Sequence, residues 1–525
     1  MEIRSCLRAV VAAVAVLAVS NVDGSTVFKA IGAQEAATTT TLNTGAASQT
    51  VSASKTPAAS SAAPAAGKTK PKILVLGAGM SGVMAANTLH EKGFTDVTII
   101  DANDYIGGRI KSGWMGGRAI ELGANWIHGT VENPIFDYAV TRKLKLVETN
   151  WSSVAMLPAD PNSEEEEAAF EEAFEKAEKR AERYLDLGKK DLSVTDALLY
   201  EGWSAHTPLE NALLYNEFDL EVGPSDQTSF ELGMNIPTYA KDDKDMLVVD
   251  GKGYYTLASD LLAKNFPNPL KNPKVVLNTM VNKIQYNDKG VTVYAKNLKT
   301  KKAVTYNADF VITTFSAGVL RQKAPKLFVP ALPEDKLDVI YRIRMTLFLK
   351  VFVEVTEKFW KDVTDGAETW VYADATTGNF TSWVDLSQPK LGEAFASPKN
   401  GSYLAVAMLG GEIAKRTEKL SPTELKNELV RVLRGMFPKA ASRINTKTVA
   451  SVQLHRWGQD ELYSGSWANP PPSFTKEDFA KLAEPVGRVY FSGEHTSAEY
   501  FGYVHGAYIA GINTAKQLLE RPEFQ

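Results

Sequence analysis

Residues 72–76 read KILVL, apolar at every position after the lysine. A strand without polar alternation needs cover on both faces, the condition of a central strand in a parallel sheet. It runs straight into Gly77-Ala78-Gly79-Met80-Ser81-Gly82, after which Val83, Ala86 and Leu89 recur at helical spacing as far as Gly93. Gly93 suits the position just past a helix C-terminus, and residues 97–100 form a second apolar strand closed by Asp101. The pattern predicts a strand–helix–strand unit with a glycine-rich first turn. Strands are predicted again over 275–284 and 290–295, followed by the apolar stretch 308–314. Residues 163–184 are acidic and Ala-rich, with Phe170 and Phe174 one helical turn apart, an amphipathic helix whose charges face solvent. Near the end, residues 488–492 (RVYFS) form a short strand leading into Gly493-Glu494-His495-Thr496, and the stretch Tyr500 to Tyr508 opens a helix that runs towards Leu519.

The first turn has a chemical purpose. Gly77 makes the tight turn, Gly79 lets a pyrophosphate approach the backbone, and Gly82 lets the helix pack close to the strand. Free amides and the helix dipole then hold the phosphates. Asp101 follows at the distance, about 20 residues, where a carboxylate accepts from a ribose hydroxyl. The fingerprint alone leaves FAD and NAD both open. Past the acid come Gly107-Gly108-Arg109, paired glycines for close backbone approach and a guanidinium fork suited to pyrophosphate.

The front end has a different character. Arg4 and Arg8 precede an apolar run over 9–19 and a small-residue cleavage site, so residues 1–24 are expected to be a signal peptide and the protein to be secreted. The run is too short to span a bilayer comfortably, and no membrane span is expected in the mature chain. Residues 25–70 are mostly Ala, Ser, Thr and Pro, a composition that cannot bury enough surface to order itself, and are expected to be a disordered spacer. The single cysteine, Cys6, lies inside the expected leader, so the mature chain would have no disulfide, no thiolate metal site and no cysteinyl cofactor link. Sequons at Asn150, Asn379 and Asn400 fit a secreted glycoprotein. At 525 residues, 44% hydrophobic and net charge −4, the chain is long enough for two substructures and lacks the basic balance of a general nucleic-acid binder.

With these motifs in place, the sequence resembles the flavin-containing amine oxidase family along almost all of residues 71–520. The match is nearest to the polyamine oxidase branch, through ELGANWIHG (121–129), GKGY (251–254), MTLFLKVFVEVTEKFW (345–360) and GEHTSAEYFGYVHGAY (493–508). The resemblance implies a Rossmann-type FAD-binding domain of the GR2 kind, assembled from residues 71–135, 246–324 and 476–525. An α+β substrate-binding domain would occupy 136–245 and 325–475. It implies non-covalent FAD held by Gly77, Gly79, Gly82, Asp101, Gly108, Arg109, Val281 and Glu494, the last on the ribityl chain. The C-terminal helix would point its positive end at the flavin.

The same resemblance assigns the chemistry. Lys350 sits in the apolar run Leu347 to Val353, where an arbitrary lysine would be an exposed edge residue. In the family it reaches the flavin N5 through a water, and burial would lower its pKa. Trp467 and Tyr503 align with aromatic residues that flank the substrate, beside Gly502. His128 follows Asn125 and Trp126 and is expected to contact a substrate amine or relay a proton. Plant secreted polyamine oxidases carry glutamate there, and animal spermine oxidases carry histidine. Phe348 replaces a tyrosine of the plant enzymes, and Glu221 aligns with an acidic residue that would pair a distal ammonium. The expected reaction is hydride removal from the carbon beside an amine nitrogen of spermine, spermidine or an acetylated form, with imine hydrolysis and O2 reduced to hydrogen peroxide. An L-amino-acid or monoamine oxidase, and a non-catalytic secreted flavoprotein, are the alternatives. A histone demethylase shares the fold, and the expected signal peptide contradicts its nuclear address.

Overall fold

Five strands that lie far apart in the sequence form one parallel sheet. Its order is Val489–Phe491, Phe310–Thr313, Ile73–Leu76, Val97–Ile100 and Val275–Val276, with every pairing parallel. The computed structural model describes residues 70–158, 163–187, 190–220, 222–234, 242, 244–392 and 401–525. The expected leader, nearly all of the expected spacer, Glu221 and the Asn400 sequon lie outside them.

Ile73–Leu76 is central in this sheet and buried at all four residues, which is why its sequence shows no polar alternation. The helix Met80–Glu91 covers one face, and the helix Val504–Leu519 packs beside it from the other end of the chain. Their approach is close: a Cβ on Gly511 would strike the Ser81 carbonyl. The hydroxyls of Ser81 and Ser492 also bond at 2.8 Å, joining the first glycine turn to the last strand.

One predicted strand is corrected. Residues 275–284 are not continuous: Val275–Val276 ends the parallel sheet, Asn278 takes a positive φ of 55°, and Thr279–Asn287 enters a different, four-stranded sheet. An apolar run carries no mark of such a change of sheet when the turning residue is Asn.

A six-stranded sheet forms a second layer, ordered Val449–Gln453, Phe348–Val355, Tyr403–Gly410, Ser382–Asp385, Thr369–Tyr372 and Val154–Leu157. In a separate three-stranded sheet Asp245–Val248 pairs with both Trp126–His128 and Leu146–Glu148. The acidic helix is Ser163–Asp186, burying Phe170 and Phe174 while Glu172–Lys176 and Glu175–Lys179 pair along its outer face. A π-helix, Tyr215–Asp219, then delivers Leu220 to the central cavity. Asn379 is buried and accepts from Arg416, so a glycan there is incompatible with the fold. No helix among the described residues is long and apolar enough to cross a membrane.

Candidate active site

A cavity of about 330 Å³ lies at the C-terminal ends of the parallel strands, where open α/β sheets bind ligands. Two helix N-termini meet it. Met80–Glu91 opens at Gly79 and Val504–Leu519 at Tyr503; neither has a side-chain cap or an acid in its first turn. Elsewhere Asn133, Ser193, Thr207, Ser316, Ser421 and Thr475 each cap a helix with their own side chain. Leaving amides uncapped at a cavity presents positive dipole ends to an anion or an electron-rich ring edge.

The glycine fingerprint acts as expected. Gly77 holds a φ of +122°, and a Cβ there would strike the Thr314 hydroxyl. Gly82 lines no part of the cavity; a Cβ would run into the Gly77 carbonyl, so its role is helix–strand contact. Gly79 bridges to Gly107, bringing the second glycine pair against the first. Asp101 is anchored by the Ala78 amide at 2.6 Å and the Asn103 amide at 2.7 Å. Burial pushes its carboxyl above the usual range, against these bonds.

Arg109 and Glu494 join the chain's two ends. The guanidinium donates to Glu494 Oε1 at 2.8 Å and to the Ser466 carbonyl at 2.7 Å, and Glu494 Oε2 accepts from the Gly502 amide at 2.8 Å. Burial acts to raise the Glu494 carboxyl, but Arg109 and His495 outweigh it and hold it below its ordinary value. An uncapped helix for pyrophosphate, a fixed acid for a ribose diol and a part-buried ion pair beside the second helix suit FAD. Val281 lines the same cavity. Tyr463 does too, but its hydroxyl bonds Tyr105 and Asn103, which places it with Asp101 rather than with the amine-binding residues.

The opposite wall is built of side chains. Lys350 is not an edge residue: its strand is flanked on both sides, and the lysine is 4% exposed. Its ammonium donates to the Gly123 carbonyl and lies 5.9 Å from the Trp126 and Phe352 rings. Burial lowers its pKa strongly, opposed by the nearby Glu121 carboxylate. Glu121 is itself raised by burial, although Ser112 at 2.6 Å and the Tyr254 amide at 2.7 Å bond it.

His128 ends the strand Trp126–His128 and shares a 2.8 Å hydrogen bond through Nδ1 with Asp245. Tyr503 meets its ring edge-on at 5.0 Å and stacks on His505 at 4.9 Å. Burial, helped by His128, pushes His505 down to about 3, so it is neutral. Trp467 lies 4.9 Å from Phe348, and a Cβ on Gly502 would sit 3.3 Å from its ring. Lys350, His128, Tyr503, Trp467, Phe348 and Gly502 therefore share one cavity with Gly77, Gly79, Asp101, Gly108, Arg109 and Glu494. Sequence reasoning missed Asp245, Trp151, Glu121 and His505. The carboxylates act on neighbours across strand pairings, which no local motif shows.

Comparison with known proteins agrees with this geometry. The family model for flavin containing amine oxidoreductases matches residues 80–519. Polyamine oxidase 1 of Zea mays is 32% identical over 477 residues, covering 86% of this chain and 90% of the relative. Polyamine oxidase 6 of Oryza sativa subsp. japonica is 31% identical, covering 86% and 92%. Among solved structures, wild-type putrescine oxidase bound to putrescine superposes with a TM-score of 0.64 at 20% identity, covering 86% of this chain and all of the other, which establishes the fold. Its sequence match, its relatives and its cavity agree: this chain belongs to the flavin containing amine oxidoreductase family and is an FAD-dependent amine oxidase.

Proposed function

We propose that the chain oxidises polyamines, and that the wall formed by Lys350, His128, Tyr503, Trp467 and Phe348 is where it does so. The observation that carries this reading is the pairing of a buried lysine with an aromatic, acid-backed wall in one cavity. Aromatic faces hold both an aliphatic chain and a cationic nitrogen. Arg109 is the one arginine among the described lining residues, and Glu494 and the Ser466 carbonyl occupy it. No lining guanidinium is left for an amino-acid carboxylate, which counts against the amino-acid oxidase alternative.

Bound FAD supplies a two-electron sink and passes the electrons to O2, giving hydrogen peroxide. The chain's residues do the rest. Only an uncharged amine nitrogen has the lone pair that assists hydride loss from its neighbouring carbon. Lys350, driven by burial towards its neutral form, lets that nitrogen approach without like-charge repulsion and can hold a water in place. Trp467 and Tyr503 orient the chain, while Glu221 is assigned to a distal ammonium. The domain division, with flavin on the first and last segments, and secretion through residues 1–24 belong to the same reading.

Anaerobic addition of spermine, spermidine or acetylated polyamines to the purified yellow protein should bleach its absorption at roughly 450 nm. A panel including L-amino acids and monoamines, read as peroxide in air, separates the alternatives. Failure of every polyamine to bleach the flavin overturns the proposal.

A further inference from the structure

Asp245 is outside every motif, yet it makes two side-chain bonds that together fix a neighbour's proton. The Trp151 indole N–H donates to its Oδ2 at 2.8 Å, and its Oδ1 lies 2.8 Å from His128 Nδ1. It also faces His128 directly in the strand register, so backbone pairing sets their separation. Asp245 is nearly buried at 11% side-chain exposure, while His128, at 29%, lines the cavity.

Indole nitrogen is donor only and carboxylate oxygen acceptor only. The Trp151 bond therefore leaves Oδ1 to accept from His128, and Nδ1 must carry the hydrogen. The geometry points to Asp245 and Trp151 as positioning residues that hold His128 as the Nδ1-protonated tautomer, leaving Nε2 as a hydrogen-bond acceptor for an amine or ammonium N–H of the substrate. This deepens the polyamine reading and rests on it. Among the described lining residues, Asp101, Glu461 and Glu494 are the carboxylates. Asp101 is held by the Ala78 and Asn103 amides in the first glycine turn, and Glu494 by Arg109. Glu461 pairs with Lys323. An imidazole acceptor backed by a buried acid thus gives the substrate wall an acceptor for cationic amines.

Asp245→Asn is the informative variant because it keeps shape and reverses polarity. Trp151 still donates, so the amide must turn its oxygen to the indole and its NH2 to His128. That forces Nδ1 to accept and places the hydrogen on Nε2, a donor where the substrate needs an acceptor. Adding Trp151→Phe removes the fixed donor and lets the amide rotate, so that either His128 tautomer can pair with it.

Histidine ring ¹⁵N shifts of the FAD-loaded protein, with His128→Gln used for assignment, read the tautomer directly. Expected are Nδ1–H in wild type, Nε2–H in Asp245→Asn, and a mixture of the two in the double variant. In parallel, KM for spermine should rise on the order of tenfold in Asp245→Asn and recover in part in Asp245→Asn/Trp151→Phe, with flavin content unchanged. A wild-type ring protonated on Nε2 or on both nitrogens overturns the inference, as does an unchanged tautomer in Asp245→Asn. A tautomer that inverts in Asp245→Asn while KM for every amine stays constant upholds the role of Asp245 and overturns the substrate contact assigned to His128.

Discussion

The two walls of the cavity are made differently. On the FAD side the working groups are backbone amides, glycines and one part-buried ion pair: two uncapped helix N-termini, the Gly79–Gly107 bridge, and Arg109 with Glu494. On the amine side they are side chains, each placed by another residue: Lys350 by Gly123, His128 by Asp245, Tyr503 against His505, and Trp467 against Phe348. The first wall is defined by where atoms are missing, the second by which functional groups are present. The first should therefore be intolerant of added volume, and the second of altered chemistry at constant volume.

The largest effect expected from that contrast is at Gly82. Valine there would drive its Cβ into the Gly77 carbonyl and crowd Val75, lifting the helix from the central strand. Overpacking of this kind should cost roughly 3 kcal/mol or more and abolish FAD retention, read as flavin absorbance after gel filtration and as a fall in Tm. Full flavin content in Gly82→Val would break the distinction between the walls. Trp467→Phe, on the other wall, should keep its flavin.

Next in size is Lys350→Met, which keeps the buried stem and removes the amine. FAD should stay bound while flavin reduction or reoxidation slows on the order of 10²-fold, measured by stopped-flow absorbance. Because burial lowers the Lys350 pKa, its ionisation falls below the ordinary lysine range near about 10.4. The wild-type rate should rise with pH through that shifted ionisation, and the methionine variant should lack the step. A variant with wild-type rates would remove Lys350 from the chemistry.

The same contrast explains what could be read from the sequence. The glycine turn, its two strands and Asp101 were legible because backbone requirements leave local marks: an unalternating apolar run, glycines at fixed offsets, an acid closing the second strand. The amine wall was legible only by resemblance. By pattern alone Lys350 is a polar residue in an apolar strand, and its burial comes from groups distant in sequence, the Gly123 carbonyl and the Trp126 ring among them. Asp245 and Trp151 had no signal, because a strand pairing and the short connection after Leu146–Glu148 bring them to His128. The continuous 275–284 strand was misread because hydrophobicity does not record a change of sheet at Asn278.

The smallest effect sharpens where the walls meet. His495 belongs to the Glu494 turn and His505 to the stack on Tyr503, and both are buried. Burial pushes His495 down to about 4 and His505 to about 3, against about 6.5 for an unfolded histidine. Between those values the unfolded chain binds protons that the native chain does not, so stability is complete above about pH 6.5 and falls as pH drops. At about pH 5 the loss should be roughly 2 kcal/mol per histidine, seen as a lower urea midpoint. His495→Gln and His505→Gln should each remove one histidine's share of this acid sensitivity, whatever their stability at neutral pH. If both walls share the liability equally, the two variants flatten the pH dependence equally. A flattening confined to His495→Gln would assign acid loss to the FAD wall alone, leaving the Tyr503 stack able to accommodate a charged His505.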